Sequence, residues 1–396
     1  MSHKITVIGL GNYGLDDLPL GIYRFIENQS IIYARTLDHP VIESLSNDVT
    51  FKSFDAIYEQ YDDFSEVYDA IVAELIELAA TEDVVYAVPG HPRVAETTTV
   101  RLAEKAAQDH SFELEVKGGK SFIDDVFTSV GRDPNDGFTL LDATDISAEL
   151  LNVRTDTLIT QVYSAMVAAD LKLTLMERYP DEHVVYIVKG AHSGGSELKA
   201  MPLHEIDFDE AWYDNLTSVL VPRVTEPQSL YGDFEFATQV IDHLVDDEKG
   251  CPWDKEQTHD SLKRYLIEES FELFEAIDNE DDWHMVEELG DILLQVLLHT
   301  SIGKKEGYFD ITEVIRSLTS KMIRRHPHVF GDAEAQDTED LKEIWADAKA
   351  KEGKVPRVKF EKVFADHFMK LYDETKQQSL DEAELRRYLS QGGEKQ

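Results

Sequence analysis

The sequence predicts an α/β N-terminal domain followed by an all-α C-terminal domain. Short runs rich in β-branched residues alternate with longer amphipathic segments up to about Val221, a pattern typical of α/β architecture with a largely parallel sheet. After Val221 the density of β-branched residues falls, and from Phe234 onward the pattern is helical. The length of 396 residues agrees with two or three domains, at roughly 150 residues per domain.

The N-terminal strands and helices follow from this alternation. The predicted strands are Ile5 to Gly9, Ile31 to Thr36, Val84 to Val88, Phe138 to Leu141, Val184 to Val188 and Ser218 to Val221. Amphipathic stretches at Phe64 to Ala80 and Gln161 to Tyr179 predict helices between them. Two prolines and a glycine within residues 222 to 233 indicate a linker. The predicted domains are therefore 1–222 and 234–396, with a linker at 223–233.

The overall charge restricts the classes of partner. The chain has 79 acidic and 38 basic residues, a formal net charge of −41, so we expect no nucleic-acid partner and no anionic membrane partner. No stretch approaches the ~18 apolar residues of a membrane span. The single cysteine, Cys251, excludes an intramolecular disulfide. Because the N-terminus also lacks the pattern of a signal peptide, we expect a cytoplasmic protein.

The first of two adjacent acidic segments places carboxylates beside an apolar stripe. The stripe consists of Leu262, Leu266, Leu273 and Ile277. Helical spacing puts Glu269 within this stripe, and Glu272 follows it at i+3. The sequence therefore predicts two carboxylates at the edge of a helix core.

The second acidic segment has a matching pair. Glu288 and Asp291 are also three residues apart, and the apolar run from Ile292 to Leu298 predicts a buried helix. The connection from Asn279 to Asp282 is short, which favours antiparallel packing of the two helices. Such packing would bring both carboxylate pairs to one helix interface.

Carboxylates clustered at a helix interface need compensation for their charge. Each uncompensated buried charge costs several kcal/mol, and Mg²⁺ prefers oxygen ligands while sharing its coordination sphere with phosphates. The pattern thus predicts a site for Mg²⁺, with Mn²⁺ as a substitute. For Glu268, Glu275 and Glu287 an ordinary solvated helix face is an equally good interpretation. If a bound cation activates a water molecule, Glu268 is a candidate base for that water. Glu269 is then a candidate catalytic residue as well as a metal ligand.

These motifs resemble the EExxE…ExxD pattern of the MazG family. EESFE at 268–272 and ELGD at 288–291 match the pattern, and GCPWDKEQTH at 250–259 and KMIRRHPHVFGD at 321–332 resemble its flanks. The resemblance covers about residues 234–352. It implies a nucleoside triphosphate pyrophosphohydrolase that forms a monophosphate and pyrophosphate.

The same resemblance implies roles for individual side chains. The implied metal ligands are Glu269, Glu272, Glu288 and Asp291. The implied nucleotide contacts are Lys321, Arg325, Trp345 and Lys349. No second EExxE…ExxD copy follows residue 352, although residues 354–389 have a helical pattern. Since one short helical unit has a limited core, we predict a homodimer formed through this domain.

Two glycine-containing loops follow strands in the N-terminal domain. Gly9, Gly11 and Gly14 fit GxGxxG, but Asp17 is the predicted helix cap, with Pro19 in the first turn, so the helix starts after the motif. A second glycine–proline loop occupies residues 88–98. Ligands in α/β folds bind beyond the carboxyl ends of strands, where both loops lie.

Together these loops resemble the tetrapyrrole (corrin/porphyrin) methylase family over about residues 1–222, and the whole chain resembles YabN-type fusions of that domain to MazG. The resemblance implies two α/β subdomains and an S-adenosylmethionine cleft. The implied cofactor contacts are Gly9, Gly11, Gly14, Pro89, Gly90, Thr97, Thr98 and Tyr163. His91 replaces the aspartate of the family's GDPxxYG loop, a departure that bears on tetrapyrrole methylation more than on cofactor binding.

Three functions therefore remain open. The first is the nucleotide hydrolase. The second is an S-adenosylmethionine-dependent methyltransferase whose helical domain serves mainly for dimerisation, and cofactor binding without turnover would count against it. The third is a metal-stabilised helical scaffold, for which Mg²⁺ would raise stability without pyrophosphate release. A scaffold needs no triphosphate clamp, so the basic and aromatic residues of the helical domain favour the hydrolase.

Overall fold

The computed structural model describes residues 3–61, 63–192, 194–331, 333 and 337–351. The chain divides into two compact units, Met1–Leu230 and Tyr231–Gln396. This division falls inside the segment that the sequence predicts as a linker. The helical pattern predicted for residues 354–389 lies outside the described residues.

The strands of the described chain all lie in the first unit. They are β1 Lys4–Gly9, β2 Ile31–Ala34, β3 Thr50–Ser53, β4 Val84–Val88, β5 Glu113–Lys117, β6 Phe138–Asp142, β7 Asp156–Thr160, β8 Val184–His192, β9 Gly195–Pro202 and β10 Thr217–Val221. The six predicted strands are present. The sequence missed β3, β5, β7 and β9, each of which contains charged or polar residues.

The described α-helices belong to both units. In the first unit they are α1 Leu20–Glu27, α2 Pro40–Leu45, α3 Asp55–Tyr58, α4 Phe64–Ala79, α5 Thr97–Asp109, α6 Phe122–Val130 and α7 Ala165–Met176. In the second unit they are α8 Phe234–Leu244, α9 Lys263–Asp278, α10 Asp282–Glu306, α11 Ile311–Arg325, α12 Pro327–Phe330 and α13 Thr338–Lys351. The predicted combination of an α/β domain and a helical domain is confirmed.

The first sheet is parallel throughout, in the order β3-β2-β4-β1-β5. Successive residues of its central strand β1 belong to different apolar clusters. Val7 packs with Tyr86 and Leu75, whereas Ile8 packs with Ile32 and other residues of a second cluster. Because side chains alternate across a strand, both faces of this sheet are covered.

The second sheet corrects the expectation of a largely parallel arrangement. Its order is β6-β7-β10-β8-β9, and of its four strand pairs only β6–β7 is parallel. Strands β8 and β9 are joined by a very short connection, which only an antiparallel pair permits, since parallel strands need a long crossover. Composition predicted three of its five strands, β6, β8 and β10, but not the direction in which they run.

Two predicted helix starts are also wrong. Asp17 does not cap α1. It ends a short 3₁₀ turn, and its buried carboxylate lies 3.2 Å from Lys120 Nζ, while Pro19 precedes the helix without a side-chain cap. The helix predicted from Gln161 begins at Ala165. Gln161 has a φ of 61°, which a helix cannot include, and Ser164 supplies the cap.

Among the described residues of the helical unit, the buried apolar side chains lie on one side of its central helices. Leu262, Leu298 and Ile302 lie in its core, together with Val245 of the loop after α8. None of the helices in the described ranges combines the length and the apolarity needed to cross a bilayer.

The apolar segments of α9 and α10 are less buried than predicted. Within the predicted stripe, Leu266 is 39% exposed and Ile277 is 48% exposed, and in the apolar run of α10, Leu293 and Val296 are also exposed. The reason is that the described helices of this unit cover one side of the α9–α10 pair and leave the other side open.

Candidate metal centre

Helices α9 and α10 pack antiparallel, as predicted. Leu262, just before α9, packs against Leu298 and Ile302 in the second half of α10. Near the other end of the pair, a carboxylate oxygen of Glu272 on α9 lies within 4.8 Å of one of Glu288 in the first half of α10. This arrangement places Glu272 and Glu288, from different helices, side by side at the interface.

Three of the four predicted metal ligands converge at this interface. Glu269, Glu272 and Glu288 each have a carboxylate oxygen within 4.8 Å of the other two. Glu288 is 4% exposed, Glu269 is half-buried and Glu272 is exposed, so the cluster reaches from the helix interface to solvent. Asp291 is not part of this group of three, although its charge acts on Glu269.

Mutual repulsion and burial change the protonation of the cluster. Partial burial, followed by the charges of Asp291 and Glu272, raises the pKa of Glu269 to about 7. Burial and the neighbouring carboxylate of Glu288 also raise the pKa of Glu272. Near neutral pH these carboxylates therefore stabilise one another poorly, which is the electrostatic condition that a bound dication relieves.

Glu288 is the most buried member and has a partner that the sequence analysis missed. Its Oε1 atom lies 3.0 Å from His284 Nε2, whereas Oε2 is buried and has no hydrogen-bond partner among the described residues. One further buried oxygen without a described partner, Oε1 of Gln295, lies two turns along the same face of α10. Helical spacing could have indicated both His284 and Gln295, because they lie four residues before and seven residues after Glu288 on the same face of α10.

The donor set fits a hard divalent cation. Three carboxylates in contact range offer only oxygen atoms, and one of these atoms is buried without a described partner. Buried polar atoms are nearly always satisfied, so an orphaned carboxylate oxygen points to a missing partner. Mg²⁺ and Mn²⁺ match oxygen donors and a partly open coordination sphere.

Glu268, the candidate base, lies on the exposed side of the cluster. Its negative charge contributes to the raised pKa of both Glu269 and Glu272. Its side chain is exposed on α9. This position leaves its carboxylate accessible to water beside the ligands.

The predicted nucleotide contacts occupy α11 and α13, which pack against each other. Lys321 and Arg325 are half-buried one turn apart on α11. Trp345 of α13 is 44% exposed, and its ring lies edge-on against His326, with the ring centroids 5.4 Å apart. Lys349 also belongs to α13, but its side chain lies outside the described residues.

In the first unit the two glycine loops meet at the carboxyl edge of the parallel sheet. The amide of Gly11 donates to Gly90 O over 3.2 Å, and the amide of Gly90 donates to Gly11 O over 2.7 Å. Both residues have positive φ angles, of 73° and 67°. A Cβ atom on Gly9 would lie 2.4 Å from Gly90 O, so this position requires glycine for close backbone approach.

The other predicted cofactor contacts are placed around this crossing. Pro89 directly follows β4, Thr97 begins α5, and the buried Thr98 hydroxyl has no hydrogen-bond partner among the described residues. Tyr163 is 42% exposed and precedes α7. A Cβ atom on Gly14 would meet nothing within 4 Å, so packing does not require glycine there.

A buried ion pair at the same edge was not predicted. Arg35 follows β2, and its guanidinium donates to Glu96 Oε2 at 2.9 Å and to Tyr58 Oη at 2.8 Å. The Glu96 carboxylate is only 2% exposed. The two partners are 61 residues apart in the sequence, so local sequence patterns could not predict this pair.

Two family models match the chain. Residues 4–207 match the family described as Tetrapyrrole (Corrin/Porphyrin) Methylases, and residues 257–330 match the MazG nucleotide pyrophosphohydrolase domain. The Bacillus subtilis protein named "Uncharacterized protein YabN" is 48% identical over 353 residues, which cover 89% of this chain and 72% of that protein. The chain belongs to the YabN-type family. A methylase domain thus precedes a MazG domain in one chain.

Other relatives resemble a single domain of this YabN-type chain. The Thermotoga maritima protein named "Nucleoside triphosphate pyrophosphohydrolase/pyrophosphatase MazG" is 51% identical over 118 residues, covering 30% of this chain and 46% of that protein. The chain therefore spans less than half the length of that relative. A crystal structure of diphthine synthase overlaps with a TM-score of 0.44 at 16% identity, covering 59% of this chain and 94% of that one.

Proposed function

We propose that the helical unit hydrolyses nucleoside triphosphates to nucleoside monophosphates and pyrophosphate in a Mg²⁺-dependent reaction, with Mn²⁺ as a substitute. The observation that carries this proposal is the convergence of Glu269, Glu272 and Glu288 within 4.8 Å, with a buried carboxylate oxygen left without a described partner. Similarity to a protein named for the same activity supports it.

Each side chain has a separate task in the proposed reaction. Glu269, Glu272 and Glu288 would hold the cation, with Asp291 as the fourth ligand. The bound metal would polarise the phosphoryl oxygens and lower the pKa of a coordinated water. Glu268 would accept a proton from the attacking water while the oxygen of that water forms a bond to the α-phosphorus. The bond from this phosphorus to the α–β bridging oxygen breaks, and pyrophosphate leaves with that oxygen.

The basic and aromatic residues of α11 and α13 complete the proposed site. Lys321, Arg325 and Lys349 would neutralise the triphosphate, and Trp345 would stack on the base. The half-exposed ring of Trp345 supports this role, since a tryptophan used only for packing is normally more buried. A purely structural metal scaffold would have no use for such a set.

The test is pyrophosphate release from a panel of nucleoside triphosphates, measured with Mg²⁺ and again with excess chelator. We expect release of pyrophosphate and monophosphate in equal amounts, and at least about a 100-fold loss of rate in chelator, because the ligands alone cannot polarise the phosphates. Release of orthophosphate instead would contradict attack at the α-phosphorus. Stabilisation by Mg²⁺ without any release would favour the scaffold.

We also propose that the helical unit forms a homodimer. Apolar side chains on α9 and α10 remain exposed, including Phe271 at 52%, Phe274 at 55% and Leu289 at 51%. Burial of such a surface by a second copy would remove large apolar side chains from water. Sedimentation equilibrium of the full chain measures this, and a monomer at micromolar concentration would contradict it.

For the first unit we propose S-adenosylmethionine binding at the crossing of the two glycine loops. The reciprocal hydrogen bonds between Gly11 and Gly90 supply a side-chain-free surface at the carboxyl edge of a parallel sheet, where ligands bind in α/β folds. A methyltransferase is the second candidate function. Calorimetric titration of the full chain with S-adenosylmethionine is expected to show one binding site, for which S-adenosylhomocysteine competes. If the titration shows no heat of binding and no such competition, the proposal is contradicted.

We place both activities in the cytoplasm and assign neither a nucleic-acid nor a membrane partner. The net charge of −41 repels polyanions, and the single cysteine suits a reducing compartment.

A further inference from the structure

His284 makes a direct contact with the most buried carboxylate of the metal centre. It lies in the first turn of α10, and its backbone N–H donates to the capping Asp281 Oδ1 over 3.1 Å. Its ring Nε2 lies 3.0 Å from Glu288 Oε1, one helical turn later. The side chain of His284 is 33% exposed and that of Glu288 is 5% exposed, so a partly exposed imidazole lies against an almost completely buried carboxylate.

The two oxygens of Glu288 are thereby made unequal. Oε1 lies 3.0 Å from Nε2 of His284, while Oε2 has no hydrogen-bond partner in the described part of the chain. A carboxylate held by one oxygen cannot turn freely about its last bond. The other oxygen therefore has a fixed direction, and no further side-chain entropy is lost when a cation binds to it.

We propose that His284 is a positioning residue of the metal centre, which orients Glu288 for cation binding by donating Nε2–H to Oε1. This inference rests on the proposed Mg²⁺-dependent function. Hydrogen bonds of this kind to metal-binding carboxylates typically alter metal affinity by about 10- to 100-fold when removed.

A neutral imidazole suits this position better than a cationic side chain. It donates one hydrogen bond without adding a positive charge that would compete with the dication for Glu288. A cation would also be unfavourable in the first turn of a helix, where the helix dipole is positive. The alternative is an ordinary i, i+4 surface pair, which would contribute only to helix stability.

The test compares three variants of the full chain. His284→Leu removes the donor, and His284→Gln keeps an N–H donor on a side chain of similar reach. His243→Leu, at an exposed histidine on α8, is the matched control. For each protein the Mg²⁺ dissociation constant is obtained from the rise of the melting temperature during a Mg²⁺ titration. The unfolding midpoint in chelator measures stability without metal.

We expect His284→Leu to weaken Mg²⁺ binding about tenfold or more, with wild-type affinity in His284→Gln and His243→Leu. At saturating Mg²⁺ the turnover number of His284→Leu should approach that of the wild type, because the defect is in metal binding. Equal Mg²⁺ affinity in all four proteins overturns the inference. It is also overturned if His284→Leu and His284→Gln weaken Mg²⁺ binding equally and both lower the stability of the metal-free protein.

The same experiment separates this inference from the proposed function. Tight Mg²⁺ binding that depends on His284, without pyrophosphate release, would support the positioning role and contradict the hydrolase. A wild-type protein that Mg²⁺ does not stabilise would overturn both. If His284→Leu fails to fold, His284→Ala is compared with His284→Gln in the same titration.

Discussion

Replacement of Glu269 by glutamine is expected to lower the rate of pyrophosphate release at least about 100-fold, because it removes a negatively charged ligand from the centre of the cluster. Glutamine keeps the volume of the side chain and one oxygen, so the loss reflects charge and coordination. Steady-state rates over a range of Mg²⁺ concentrations measure it. Comparable turnover by both proteins would refute the assignment of the metal centre.

The variant also allows a check that the protein remains folded. The pKa of Glu269 is raised to about 7, so in the metal-free protein its carboxylate is mainly ionised above that pH, where its charge lowers the stability of the fold. The stability that its protonated form provides at low pH is lost as the pH rises from about 4.5 to about 7. At pH 8 in chelator the glutamine variant should therefore be at least as stable as the wild type.

Glu275→Gln is the matched control for this prediction. Glu275 is an exposed glutamate on the same helix, and it is not one of the three carboxylates in the cluster. We expect wild-type turnover from this variant. An equal loss in both variants would show that the effect comes from the net charge of the helix rather than from a metal ligand.

Replacement of Gly9 by alanine is expected to destabilise the first unit by about 3 kcal/mol, at the upper end of the usual cost of overpacking. The added Cβ atom would lie 2.4 Å from Gly90 O and 2.7 Å from Pro92 Cδ. The nearest atom belongs to the backbone, so no rotamer change can relieve the overlap. Chemical unfolding followed by near-ultraviolet circular dichroism measures the effect.

Gly14→Ala provides the comparison within the same motif. A Cβ atom on Gly14 would meet nothing within 4 Å, so we expect a change of less than about 0.5 kcal/mol. Equal destabilisation by both substitutions would contradict close approach of the two loops as the reason for glycine at residue 9.

The carboxylate cluster was largely predictable because its signal is local. Glu269 and Glu272 are three residues apart, as are Glu288 and Asp291, and a short turn joins their helices. Local spacing fixes which side chains share a helix face, and a short turn fixes which helices meet. The separation of Asp291 from the group of three oxygens was not predictable, since it depends on side-chain rotamers.

Features formed by distant segments were not predictable. Arg35 and Glu96 are 61 residues apart, and nothing in either local pattern indicates that they form an ion pair. The antiparallel order of the second sheet has the same cause, because the direction of a strand depends on which distant strands it pairs with. His284 was overlooked for a different reason: its i, i+4 spacing to Glu288 is local, but its importance depends on how deeply Glu288 is buried.

The amino-acid sequence alone determined the division into an α/β part and a helical part, the pairing of the carboxylates on two adjacent helices, and the glycines of the two loops, because periodicity and backbone constraints act over a few residues. Only the tertiary structure decided which carboxylate oxygen lacks a partner, how much of α9 and α10 is exposed, and why Gly9 tolerates no side chain. These properties depend on atoms brought together from distant parts of the chain, and burial and close approach exist only after folding.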